Sequence, residues 1–310
     1  MIRHAIGVVL GLVLAAWMVP TAAWPADAAE LETNGVVVLE TDFGLADGAV
    51  SAMRGVAVSV DPTLRLEDLT HEIPPFDIWE GAYRLAQTAP YWPRGTVFVA
   101  VIDPGVGTAR RSIALRTESG HLFVSPDNGT LTLVADHLGI DAVREIDESR
   151  HRRPGSELSY TFFGRDLYAL TGAKLASGQI AFEEVGPELD GGIVRIPFQK
   201  PELEGTHVAG AIPVLDVQYG NVWTNIDRAT FEQLGLARGE IATVRILEGD
   251  RLAFEGAMPY AATFGDVPEG ERLLYLNSLD NVSFAINLGN FAATHGVGSG
   301  PEWRVEVAKR

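Results

Sequence analysis

GVVVLETDFGLADGAVSAMRGVAVSV, residues 35–60, decides the fold. VVVLE reads as an apolar strand, TDFGLADG as a turn punctuated by glycine, and Ala49 to Val60 as a helix. Strand, glycine turn and helix in that order open an α/β unit. Strand-like runs recur at Thr96–Ile102, Ser112–Leu115 and Leu122–Val124, and helical patterns at Ile78–Ala89, Gly129–Leu138 and Arg165–Ser177. Ligands of open α/β sheets bind beyond the carboxyl ends of strands, which directs attention to TDFG after the first strand and DPGVGT after a later one.

The character changes after Arg195. IPFQKPELEGTHVAG has the proline, glycine and charge of a linker, and the runs AIPVLDV, ATVRILE, RLAFEGA, RLLYLNS and WRVEVAK follow, broken by glycine and proline. Short strands with such turns predict a small antiparallel β-barrel or sandwich. The expected organisation is an α/β domain over 29–196, a linker over 197–207 and a C-terminal barrel domain over 208–310.

Toward the N-terminus, Arg3 and His4 precede an apolar stretch from Ala5 to Val19, and Ala26-Asp27-Ala28 has the small-x-small form of a cleavage site. The stretch is about 15 residues, short of the ~20 that span a bilayer, so residues 1–28 read as a signal peptide, with an uncleaved membrane anchor as the alternative, and either predicts an exported protein, periplasmic or secreted. The formal net charge of -17 argues against nucleic acid and anionic membrane partners. The absence of cysteine excludes disulfides, thiolate catalysis and cysteine-ligated metals. No metal-binding, nucleophile-elbow, Walker or dinucleotide signature is present, so neither a metal nor a cofactor is expected.

Several motifs admit more than one role. Asp42 in TDFG can cap the following helix or accept bonds from a diol. In IDPGVGTARR the glycines allow close backbone approach to a ligand, and Asp103 and Arg110 can pair across the turn. An ionised aspartate orients water but is a weak base at neutral pH. SPDNG, residues 125–129, has tight-turn chemistry. TFFGRD, residues 161–166, reads as a helix start with Arg165 and Asp166 solvated. YGNVWTN, residues 219–225, offers aromatics that can stack on a purine and amides that can read its edge.

Taken in order, TDFG, THEIPPFDIWEGA, GTVFVAVIDPGVGT, SPDNG, FFGRD, DVQYGNVWTNI and YLNS resemble the S-adenosylmethionine hydroxide adenosyltransferase family, which also holds fluorinases and chlorinases. The resemblance implies a homotrimer with each site between the N-terminal domain of one subunit and the C-terminal domain of the next. It implies displacement at the ribose 5′ carbon of S-adenosylmethionine, with methionine leaving. It matches Asp42 to the carboxylate on the ribose hydroxyls, Phe76 to an aromatic near the nucleoside, and Asp216 to the acid on the methionine ammonium. Ser278 matches the residue meeting the methionine carboxylate, Asn221 an adenine-reading amide, and Trp223 and Phe264 pocket aromatics. The family's hydrolases share an Asp–Arg–His set. Asp103 and Arg110 match its first two members, whereas halogenases carry Tyr at the Asp position. The third member departs: Phe163 stands where the family has histidine, and losing a general base costs ~10²–10⁴ in rate. A binding protein with little or no turnover is therefore the alternative. Its expected export also sets it apart, because S-adenosylmethionine is a cytoplasmic metabolite.

Overall fold

The structure, a computed structural model, describes residues 33–190 and 192–310; the expected signal peptide lies outside them. Strand β1 (Val36–Thr41) runs into helix α1 (Ala49–Val60), followed by β2 (Arg65–Thr70), α2 (Ile78–Thr88) and β3 (Val97–Val101). Next come β4 (Ser112–Arg116), β5 (Leu122–Pro126), α3 (Thr132–Leu138), β6 (Ala142–Glu145) and the short α4 (Glu148–His151). A π-turn over Gly164–Ala169 then leads into α5 (Leu170–Ala176). The six strands form one sheet in the order β2-β1-β3-β5-β4-β6. β1 pairs in parallel with β2 and β3, and β3 with β5, while β4 is antiparallel to both neighbours.

β1 is buried along its whole length because helices cover both faces. Val37 and Leu39 pack with Met53, Leu167, Tyr168 and Leu175, and Val36 and Val38 with Ala82, Tyr83, Leu85 and Val134. α5 lies close on the sheet because Gly172 has no side chain; a Cβ there would sit 2.4 Å from Val99 Cγ2. From β1 the chain crosses to β2 on one side and then returns to β3 on the other. The crevice between the ends of β1 and β3 is therefore the topological switch point, where such sheets bind ligands.

Strand alternation turns Glu40 to the α2 side, where it is 1% exposed and neither carboxyl oxygen has a hydrogen-bond partner. Burial pushes its pKa well above the ordinary carboxylate range, with Arg84 only partly opposing. The folded chain thus keeps this proton to higher pH than the unfolded chain does, so stability falls as pH rises from the ordinary glutamate range through the folded value. Glu40→Gln removes that loss. Thermal melts should show it about 2–4 °C above the parent at pH 8 and equal to it near pH 4.5.

The C-terminal part differs from the expected barrel. β7 (Glu202–Glu204), β8 (His207–Ile212), β9 (Val214–Leu215) and β10 (Val222–Asp227) precede the short α6 (Arg228–Glu232). β11 (Ile241–Glu248), β12 (Arg251–Pro259), β13 (Arg272–Leu276) and β14 (Asn281–Ile286) follow, then α7 (Phe291–His295) and β15 (Gly300–Lys309). They make two open sheets, β13-β14-β10-β9 and β12-β11-β15-β8-β7, rather than one closed ring. Both contribute to one core: Val222, Ile226 and Phe284 from the first meet Val244, Ile246 and Val305 from the second. Short strands broken by glycine suit either arrangement, and closure depends on edge pairing that sequence periodicity does not encode. Trp79 Nε1 donates to Pro213 O at 2.9 Å and Arg84 Nη2 to Leu215 O at 3.0 Å, joining α2 to the strands around β9.

Candidate active site

Thr41 at the end of β1 is in register with Val101 at the end of β3, so Asp42 and Asp103 leave neighbouring strands into the switch-point crevice. Asp42 Oδ2 accepts from the Phe76 backbone N–H at 2.9 Å. Phe76 has φ 70 and is 69% exposed. A left-handed bulky residue costs on the order of 1–3 kcal/mol and persists only where its surroundings fix it, here the Asp42 bond. The loops after β1 and β2 are also tied by Gly44 N donating to His71 O at 2.7 Å and by Thr41 Oγ1 meeting His71 Nδ1 at 2.8 Å. His71 Nε2 faces Asp68 at 3.0 Å. With both ring nitrogens facing these partners and the residue buried, His71 fastens the loops and does not stand in for a base.

The turn after β3 brings Asp103 and Arg110 together. Arg110 Nε donates to Asp103 Oδ1 at 2.7 Å and Nη2 to Oδ2, a bidentate pair whose side chains are 5% (Asp103) and 9% (Arg110) exposed. Gly107 lets the turn close, with φ +76 and a Cβ position 2.9 Å from Tyr160 O. Beyond the pair, Arg110 Nη1 donates to Ser112 Oγ at 3.1 Å, and Ser112 Oγ meets Tyr168 OH at 3.0 Å. Phe163 is buried, with the guanidinium carbons of Arg110 and Arg152 5.1 and 4.8 Å from its ring centre. Sequence reasoning missed Ser112, Arg152 and Tyr168: Ser112 is near Asp103 in the chain but joins it through the Arg110 side chain, whereas Arg152 and Tyr168 are distant in the chain and meet Phe163 and Ser112 through their side chains.

Two neighbouring motifs are structural. In SPDNG, Asp127 takes Arg111 Nε at 2.8 Å and Val194 N at 2.7 Å, and Asn128 Nδ2 donates to Ile102 O at 2.8 Å. Contrary to the solvated reading of FFGRD, Asp166 is fully buried, bonded by Arg153 Nε at 2.7 Å and Arg165 Nη2 at 2.7 Å. Burial works against its charge, but the two arginines prevail and hold its pKa below the ordinary range. The π-turn gives Asp166 this inward direction where a regular helix start would leave it solvated.

The remaining candidates gather in the C-terminal part. Asn221 Nδ2 donates to Asp216 Oδ2 at 3.0 Å, and Asp216 N to Asn221 O at 2.9 Å, closing the 216–221 turn. Trp223, Ser283 and Tyr275 form one cross-strand row over β10, β14 and β13. Phe264 lies against Tyr275 with ring centres 5.0 Å apart. Burial pushes the Tyr275 hydroxyl up to about 12, and the nearby Asp216 charge adds to the shift. Ser278 is exposed in the turn between β13 and β14.

Among the described residues, no hydrogen bond, ion pair or aromatic contact joins the set Asp42, Phe76, Asp103, Arg110 to the set Asp216, Asn221, Trp223, Phe264, Ser278. A cavity of about 480 Å³ between α2, α3 and the C-terminal strands is lined by none of them. Each set instead carries exposed apolar side chains: Leu45, Phe76, Val106, Leu158 and Tyr160 around the first, Val217, Tyr219, Phe264 and Leu288 around the second. Among the described residues no group of three or more metal-binding side chains is gathered.

Residues 37–186 match the SAM hydroxide adenosyltransferase N-terminal domain and residues 210–304 the C-terminal domain. The chain is 40% identical over 270 residues to the (R)-S-adenosyl-L-methionine hydrolase of Salinispora arenicola, covering 86% of this chain and 95% of that one. It is 32% identical over 303 residues to the fluorinase of Nocardia brasiliensis, covering 89% and 99%. An uncharacterized conserved protein of Thermotoga maritima superposes with a TM-score of 0.79 at 33% identity, covering 88% of this chain and all of the other.

Proposed function

The chain belongs to the SAM hydroxide adenosyltransferase family, and from that membership we propose that it hydrolyses S-adenosylmethionine to adenosine and methionine. The observation that carries this reading is the dry, bidentate Asp103–Arg110 pair at the switch point. A carboxylate held in one orientation can align a water for attack, whereas it would repel a halide at the same position. The water oxygen bonds to the ribose 5′ carbon as the carbon–sulfur bond breaks. Sulfur takes the bonding pair and leaves as neutral methionine thioether, and the water's proton passes to solvent.

Binding follows from the remaining residues. Asp42 accepts the ribose hydroxyls through the oxygen that Phe76 leaves free. Asp216 Oδ1 and Asn221 Oδ1, outside their mutual bond, face the methionine ammonium and the adenine amino group. Trp223, Phe264 and Phe76 supply aromatic surface, and Ser278 meets the methionine carboxylate. The separation of the two sets within one chain, and the exposed apolar side chains around each, support a homotrimer in which neighbouring subunits complete the sites. Residues 1–28 support export, which would put the enzyme outside the cytoplasm.

Phe163 favours a second reading, an exported nucleoside-binding protein without turnover, because no imidazole stands beside Asp103. Incubation of the purified protein with S-adenosylmethionine, followed by chromatography, separates the two. The hydrolase releases adenosine and methionine in equal amounts. Calorimetric binding without adenosine above the uncatalysed rate would overturn it in favour of the binder.

A further inference from the structure

The π-turn that begins directly after Phe163 carries a second feature beside Asp166. It turns Tyr168 inward, where the residue is fully buried and its hydroxyl lies 3.0 Å from Ser112 Oγ. Ser112, itself buried at the start of β4, accepts Arg110 Nη1 at 3.1 Å, while Nε and Nη2 of the same guanidinium hold Asp103. The Arg110 guanidinium carbon also lies 5.7 Å from the centre of the Tyr168 ring. A continuous chain of polar contacts therefore runs from a buried phenol through a buried hydroxyl to the arginine that orients the aspartate. π-turns are rare and concentrate at functional sites, and a buried hydroxyl pair fixed on one guanidinium is a costly arrangement unless its geometry is used.

We propose that Tyr168 is a positioning residue of the hydrolysis, fixing the Arg110 guanidinium through Ser112 and thereby the Asp103 carboxylate. The inference rests on the hydrolase reading for its consequence in turnover, but its geometric content is independent of it. In a bidentate pair one guanidinium edge meets the carboxylate, and the opposite nitrogen sets the rotation of the plane. Among the described residues Arg110 has that third contact only at Ser112, and Ser112 has Tyr168 behind it. Burial pushes the Tyr168 hydroxyl above its ordinary range, so it stays protonated and able to donate at neutral pH. With the histidine position occupied by Phe163, orientation of water by Asp103 carries the attack, and a misdirection of a fraction of an ångström is felt in the rate.

Tyr168→Phe keeps the ring, its packing and its contact with Arg110 and removes only the hydroxyl. Ser112→Ala cuts the chain at its middle. Each is expected to lower kcat about tenfold with KM within about twofold of the parent, the pattern of an interaction that matters in the transition state. The double variant should be no slower than the slower single one, because both break the same chain. The second readout needs no turnover: in ¹⁵N–¹H spectra of the full protein, the Arg110 Nε–H resonance is expected to be sharp and slowly exchanging in the parent and to broaden and exchange faster in both variants. A lowered melting temperature with unchanged kcat and an unchanged Arg110 resonance would assign Tyr168 to packing alone and overturn the proposal. Additive losses in the double variant, or a rise in KM without a fall in kcat, would overturn it too. If the parent shows no turnover, the Arg110 resonance still decides whether the chain fixes the guanidinium, while the hydrolase reading fails separately.

Discussion

Asp103→Asn is expected to lower kcat for adenosine formation by about 10³-fold, with KM changed little. The substitution preserves volume, so the crevice keeps its shape. It replaces one of two carboxylate oxygens with an amide nitrogen, which cannot accept from Arg110 Nη2 and turns two donors toward a cation. The bidentate pair is lost, and with it the negative, oriented acceptor for the attacking water. Binding is spared on the proposed assignment, in which the substrate's ammonium, diol and purine fall to Asp216, Asp42 and Asn221. Steady-state kinetics by chromatographic product assay provides the check. A variant retaining a third or more of the parental kcat would remove Asp103 from the chemistry. A large rise in KM at constant kcat would make it a binding residue.

The second large effect is a gain. Phe163→His should raise kcat by about 10²-fold, because an imidazole at this position can take the water's proton where phenylalanine cannot. The surroundings favour the form needed: Arg110 and Arg152 both lie within about 5 Å of the present ring, and two cations keep a buried imidazole neutral. The pH dependence has a definite sign. A base that works when neutral gives a rate that rises as pH passes upward through its pKa and then levels, a limb the parent lacks. Absence of any gain in a folded variant would mean that Asp103 alone moves the proton and that the missing histidine is no deficit.

Much of the site was legible in the sequence because its residues sit at the ends of strands. A strand and helix read from VVVLETDFGLADG appear as β1 and α1 with the expected helix limits Ala49–Val60, and Asp42 and Asp103 emerge side by side because β1 and β3 are parallel neighbours. Local pattern could not decide how the C-terminal strands close, and two open sheets replace the expected barrel. Nor could it see that Asp166 is buried between arginines, since GRD at a helix start reads as solvated unless the turn is of the π type. Tyr168 escaped for a related reason: its partner Ser112 lies 56 residues away. Its sequence signal is slight, a lone aromatic two residues beyond FFGRD on the same helical stretch. Of the C-terminal candidates, Asn221 and Trp223 stand in a stretch whose aromatics and amides already suit a purine, while Asp216, Phe264 and Ser278 were found by resemblance; Tyr275 joins them through the cross-strand row with Trp223 that pairing creates.

Attack on the ribose 5′ carbon by water oriented by Asp103 leaves the water's oxygen on adenosine. Turnover of S-adenosylmethionine by the purified protein in H₂¹⁸O, with mass spectrometry of both products, tests it most directly. Adenosine should carry one ¹⁸O, located at the 5′ hydroxyl, and methionine none. Adenosine without the label, a product other than adenosine, or label in the methionine would contradict it.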